Sequence, residues 1–167
     1  MNALPSPPAF ENAQWWTEFV PRRWLRNGHL QTLAGNFLPR RLTLPEPESL
    51  LVEVEGPVSG YGPSQVLCHC HWQPREVRRQ RLTVVLVHGL EGSSNSQYIV
   101  GNTARALARG LNVVRMNMRS CGGTDYLSPT IYHSGRSGDV ARVFEAMVRE
   151  QQLEAVALVG YSMGGNL

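Results

Sequence analysis

Apolar positions along this chain fall into two textures that meet near residue 80. Beyond that point the pattern is regular. Val84-Val85-Leu86-Val87 is an unbroken apolar run rich in β-branched residues, the pattern of a strand covered on both faces. Ser96–Arg109 predicts a helix, with Gly110 at the left-handed position that follows a helix end. Val113–Met118 predicts a second strand. Val140, Val143, Phe144, Met147 and Val148 recur at i, i+3, i+4, i+7 and i+8, which is one apolar helix stripe. Ala155–Val159 predicts a third buried strand. Strand, helix, strand, helix, strand with short joints implies parallel strands linked by crossover helices, an α/β fold.

The first eighty residues are less periodic and hold all four tryptophans. Leu50–Glu55 and Gln65–Trp72 predict two strands joined by the Gly/Pro-rich turn region Gly56–Ser64, and Arg75–Arg81 reads as a solvated basic connection. Residues 1–49 read as an N-terminal arm packing on a domain formed by residues 50–167. Trp15, Trp16 and Trp24, with Arg22, Arg23 and Arg26, offer a peripheral lipid contact. No helical stripe of adequate length is apparent there, so packing of the arm onto the domain is the simpler expectation.

A length of 167 residues suits one hydrophobic core. With 42% hydrophobic and 17% charged residues, the chain is excluded from the disordered, collagen-like and coiled-coil classes. The net charge is 16 − 13 = +3, every basic residue being Arg. That balance does not point to a nucleic-acid partner. Three cysteines argue against a disulfide framework and for a reducing compartment. Met1–Phe10 lacks the order of a signal peptide, and no apolar run reaches membrane-spanning length. The expectation is a cytoplasmic protein without an integral membrane segment.

The last predicted strand runs into Gly160-Tyr161-Ser162-Met163-Gly164. This is G-x-S-x-G at a strand-to-helix junction, the setting of a nucleophile elbow. A sharp turn holds Ser162 in strained geometry and brings the residues two before and two after it too close for side chains, hence Gly160 and Gly164. The Met163 N–H then lies at a helix start, where a developing oxyanion is stabilised. A second element, His88-Gly89-Leu90-Glu91-Gly92, follows the first strong strand and would supply the Leu90 N–H as the other oxyanion donor.

Five stretches in order resemble the YheT-like branch of the α/β-hydrolase family. They are Asn27-Gly28-His29-Leu30-Gln31-Thr32, His88 to Ser93, Asn117-Met118-Arg119-Ser120-Cys121-Gly122-Gly123, Ile131-Tyr132-His133-Ser134-Gly135, and Gly160 to Asn166. The resemblance covers the chain from about Trp24 onward. It implies an α/β-hydrolase fold and a serine hydrolase of carboxylic esters, with acyl or lipid-like chains in a small-molecule substrate and no metal or organic cofactor. It places His133 in a pocket-side motif, and His88 and Tyr161 are further pocket candidates. Acyl transfer to an alcohol is the neighbouring chemistry.

In this fold the triad runs Ser, then Asp or Glu, then His. Only Met163, Gly164, Gly165, Asn166 and Leu167 follow Ser162, and none is acidic or His. The expectation is therefore a truncated hydrolase core, inactive alone, with Ala155–Val159 as an open apolar edge. A non-catalytic remnant or binding piece is the alternative from another class. His133 and Asp139 are the nearby residues that would have to replace the missing pair, but Asp139 is explained by the dipole at a helix start. Cys68-His69-Cys70-His71 suggests zinc, yet strand alternation puts thiols on one face and imidazoles on the other, short of four converging ligands. Cys121 reads as a small loop residue, with Arg119 its one candidate thiolate stabiliser.

Overall fold

A computed structural model of the chain describes residues 19–38, 42–56 and 60–167. Met1–Phe10, Trp15, Trp16 and part of the Gly56–Ser64 turn region lie outside the described residues. Two units emerge, Met1–Pro39 and Arg40–Leu167.

In the first unit a 3₁₀ turn at Arg23–Leu25 precedes helix α1, Gly28–Phe37. The Asn27 side chain caps α1, accepting from the His29 N–H at 2.9 Å and the Leu30 N–H at 3.3 Å. Leu30, Leu33, Ala34 and Phe37 stand at i, i+3, i+4 and i+7 on it. This corrects the expectation of no helical stripe. The spacing was present in the sequence, but Gly28 and Gly35 dilute the helical propensity around it.

The second unit is built on a five-stranded sheet. Its strands are β1 (Glu48–Glu55), β2 (Ser64–His71), β3 (Thr83–Val87), β4 (Asn112–Met116) and β5 (Val156–Gly160), in the order β1-β2-β4-β3-β5. β1 and β2 pair antiparallel, β2 meets β4 antiparallel, and β4, β3 and β5 are parallel. Helix α3 (Gln97–Leu107) links β3 to β4, and α4 (Ser137–Glu145) leads toward β5. Within 75–81, Arg75–Arg78 forms a short helix, α2, rather than a plain turn. The Asn112 amide holds it, donating to the Arg78 carbonyl at 2.8 Å, and the Arg78 guanidinium lies 3.8 Å from the Trp72 ring centre.

The two faces of the sheet bury separate apolar layers. Val85, Val87, Val114 and Met116 pack with Val52, Val66, Cys68, Cys70 and the α4 residues Val140 and Val143. Leu86 and Val113 pack with Ile99 of α3 on the other side. Strand alternation thus puts both thiols in the core. Burial pushes the Cys70 thiol up to about 12 and that of Cys68 well above its ordinary value. The opposite face of β2 carries His69 and His71. His69 Nδ1 is 2.9 Å from the Ser94 hydroxyl, and Arg115 Nε donates to His71 Nε2 at 3.1 Å.

One stripe needs correction. Val140, Val143 and Met147 are buried, whereas Phe144 and Val148 are 37% and 40% exposed. A π-helical turn at Ala146–Glu150 follows α4 directly. It shifts the phase of the residues within and after it, Val148 among them, whereas Phe144 precedes it. Phe144 and Val148 instead line a groove with Leu158 of β5, which is an edge strand among the described residues.

His71 gives the fold an acid sensitivity. Burial, reinforced by the Arg115 cation, lowers its pKa to about 4. The folded chain therefore binds fewer protons than the unfolded one between about pH 6.5 and 4. The resulting stability is fully present above pH 6.5 and is lost as pH falls toward 4. Urea midpoints measured at pH 7 and pH 4.5 should show that loss, and His71→Gln should shrink it by on the order of 1–3 kcal/mol. An unchanged pH dependence in the variant would contradict the assignment.

Candidate active site

Parallel strands present their carboxyl ends to one edge of the sheet, where ligands of open α/β sheets bind. Three segments leave there: 88–92 after β3, 117–123 after β4, and the turn after β5. The third is the sharpest. Ser162 has φ 52° and ψ −116°, a strained conformation for a residue with a side chain, and helix α5 (Met163–Asn166) starts immediately after it. The Ser162 side chain is exposed, and its hydroxyl has no hydrogen-bond partner among the described residues.

The glycines flanking Ser162 are required by contact. A Cβ on Gly160 would overlap the Gly164 carbonyl, and one on Gly164 would overlap the His88 carbonyl and lie 2.6 Å from the Val87 oxygen. The elbow is therefore seated on the end of β3. Tyr161 N–H donates to the Val87 carbonyl at 3.0 Å, completing that seat. The 88–92 loop meets it from the other side, since a Cβ on Gly89 would stand 3.3 Å from the Ser162 Cβ.

That loop is fixed at almost every polar position. Gly89 N–H donates to the Tyr98 hydroxyl at 2.9 Å, Glu91 N–H to the Tyr132 hydroxyl at 3.0 Å, and Gly92 N–H to the Gly89 carbonyl at 3.0 Å. Glu91 itself is held at φ 54°. Leu90 N–H, between them, has no acceptor among the described residues, and neither has Met163 N–H. Tyr98 and Tyr132 were missed in the sequence, because no local pattern tells that a hydroxyl will reach an amide 9 or 41 positions away.

The pocket candidates fare differently. His88 is fully buried, its Nδ1 donating to the Gly89 carbonyl at 2.8 Å and its Nε2 accepting from the Met118 N–H at 3.1 Å. Burial lowers its pKa against the opposing pull of the Gly89 carbonyl, so the imidazole is neutral and ties the β3 and β4 loops together. Both nitrogens are taken, which leaves it no role as a proton carrier. Tyr161 packs on the α3 side of the sheet, its ring 4.9 Å from that of Tyr98, and its hydroxyl accepts from Asn102 Nδ2 at 2.7 Å. His133 is exposed, and its Nδ1 accepts from the Gly135 N–H at 3.1 Å.

Asp139 is more than a helix-start carboxylate. It is 5% exposed and receives a two-pronged bond from Arg119, Nε to Oδ2 at 2.7 Å and Nη2 to Oδ1 at 2.6 Å. Arg119 Nη1 also donates to Glu55 at 2.6 Å and to the Thr130 hydroxyl at 2.7 Å. The Asp139 bonds raise the Arg119 pKa, and the Arg119 bond lowers that of Glu55. With its guanidinium so engaged, Arg119 activates no thiol. Burial pushes the Cys121 thiol up to about 11, with Asp125 adding to the rise. No group of three or more His, Cys, Asp or Glu poised to hold a metal occurs among the described residues.

The close seat of the elbow makes two substitutions unequal. Gly164→Ala should destabilise the chain by about 3 kcal/mol or more, since the backbone it strikes cannot rotate away. Tyr132→Phe should cost about 1 kcal/mol for the unmet Glu91 amide. Chemical unfolding of both variants checks this, and a Gly164→Ala chain as stable as the parent would refute the seat.

Comparison with known proteins places this architecture. The chain is 33% identical over 150 residues to "Putative esterase YheT" of Escherichia coli (strain K12), an alignment that covers 90% of the chain and 42% of that protein. It is 26% identical over 149 residues to "Abhydrolase domain-containing protein 2" of Drosophila melanogaster, covering 88% and 36%. The chain thus spans less than half the length of these curated relatives. Among solved structures, a serine hydrolase without lid from Xanthomonas campestris superposes with TM-score 0.55 at 25% identity, over 75% of the chain and 55% of that structure. Est1E from Butyrivibrio proteoclasticus matches with TM-score 0.55 at 15% identity, over 70% and 43%. The profile of the alpha/beta hydrolase fold matches residues 83–167, from the first parallel strand through the elbow, and on that match this chain belongs to the α/β-hydrolase fold family.

Proposed function

We propose that these residues carry the nucleophile half of a serine carboxylic-ester hydrolase acting on acyl or lipid-like esters. One observation carries the reading. Beside an exposed, unpartnered Ser162 hydroxyl, the Leu90 and Met163 amides have no acceptor among the described residues, while the other amides of the 89–92 turn are engaged. Unmet donors near a nucleophile are the means by which a tetrahedral oxyanion is stabilised. The name of the Escherichia coli relative points to the same ester chemistry.

In this reading Ser162 Oγ bonds to the ester carbonyl carbon as its proton passes to a base, and the carbonyl oxygen becomes the oxyanion held by Leu90 and Met163. Collapse expels the alcohol, which takes up the proton, and leaves an acyl-enzyme that water hydrolyses to the free acid. Gly89, Gly160 and Gly164 permit the close approach. No metal or organic cofactor enters the reaction, and the setting is the cytoplasm.

The proton acceptor is the part these residues lack. Residues 163–167 hold no acid and no histidine, His88 has both nitrogens engaged, and Asp139 is held by Arg119. We place the base outside these 167 residues, and take the isolated chain to be hydrolytically inert and prone to self-association through β5. The same observation favours a second reading, a non-catalytic remnant. A fluorophosphonate probe separates them. Labelling of Ser162 in the natural source on a species heavier than 18.6 kDa supports the enzyme, and its absence supports the remnant. Purified 167-residue chain should turn over a p-nitrophenyl ester no faster than Ser162→Ala; clear turnover by the chain alone would overturn the placement of the base.

A further inference from the structure

The first unit has a face that the ester reading does not use. Trp24, Leu30, Leu33, Phe37 and Leu38 are all at least 49% exposed, and together with Leu25 they line one apolar groove. Apolar surface gathered on one side of a ten-residue helix and the turn before it is more than scattered exposure. Its flanks carry charge of a single sign. Between Glu18 and Glu46 the sequence has five arginines and no carboxylate. Arg22, Arg23 and Arg26 bracket Trp24 at the start of the groove, and all three are exposed with no ion-pair partner among the described residues. Asn27 caps the helix by accepting from the His29 and Leu30 amides; a guanidinium has no acceptor to offer those amides and gains nothing from the positive end of the helix.

We propose that this face docks onto anionic lipid bilayers. The helix would lie in the plane of the headgroups, with Leu30, Leu33 and Phe37 inserted among the acyl chains and Trp24 at the headgroup level. Arg22, Arg23 and Arg26 would rest against lipid phosphates. Charge complementarity selects this occupant, since an apolar partner or the chain's own core has no use for an uncompensated arginine cluster at the rim. The inference does not depend on the ester chemistry.

Flotation of the purified 167-residue chain with vesicles tests it, because self-associated protein sinks while vesicle-bound protein rises. Binding is expected to phosphatidylserine–phosphatidylcholine vesicles, to weaken with added salt, and to be absent with phosphatidylcholine alone. Replacing Arg22, Arg23 and Arg26 together by Gln alters only exposed side chains and should weaken binding roughly a hundredfold, about fivefold per arginine. Phe37→Asp should abolish it, and quenching of tryptophan fluorescence by brominated acyl chains should fall in Trp24→Phe. Failure to float with either vesicle, equal binding to both, unchanged affinity in the triple Gln variant, or quenching untouched by Trp24→Phe would each overturn the proposal. Covering of the face by the rest of the chain would appear as failure to float.

Discussion

Backbone pressed against backbone at the end of β3 is the constraint on which the site depends. Gly164 lies so close to the Val87 and His88 carbonyls that no Cβ fits, and Gly160 is packed the same way against Gly164. Dense packing of this kind leaves the turn one arrangement rather than a range of them. The φ of 52° at Ser162 follows from it: the surrounding structure over-determines a conformation that the residue would not adopt alone. The exposed hydroxyl is thus held by contacts that none of its own atoms makes.

A second layer of polar bonds steadies the neighbouring loops. Tyr98 and Tyr132 each meet one amide of the 89–92 turn, and His88 ties that turn to the β4 loop through Met118. Arg119 draws Glu55 at the end of β1, Thr130 in the loop and Asp139 at the start of α4 onto one guanidinium. Buried charge of this sort contributes little net stability over an apolar substitute, but removal of one partner leaves the others desolvated and unmet. Its effect is to fix which segments adjoin the candidate site.

Much of this was legible in the sequence because it is local. The β-branched run at 84–87, the Gly-bounded Ser162 and the alternation of Cys68 to His71 each state their geometry within a few residues. The fold class followed from the order of such pieces. Contacts set by tertiary approach were not legible. Nothing near Asp139 announces Arg119, and nothing near Glu91 announces Tyr132. The two cases of mistaken periodicity have different causes. Val148 belongs to a regular stripe in sequence but sits in the π-helical turn at 146–150, while Phe144, in the regular helix before that turn, lines the groove beside Leu158 of the edge strand. The Leu30–Phe37 stripe was present but obscured by glycines, although Asn27 gave a cap signal.

Everything that fixes Ser162 comes from segments within residues 83–167: β3, its loop, β5 and the first turn of α5. The contacts that set its backbone therefore lie within one continuous stretch of the chain. Substitutions in residues 19–38 or in β1 are thus separated from the turn's own geometry, and a change in the Ser162 backbone reports on β3, β5 and their loops alone.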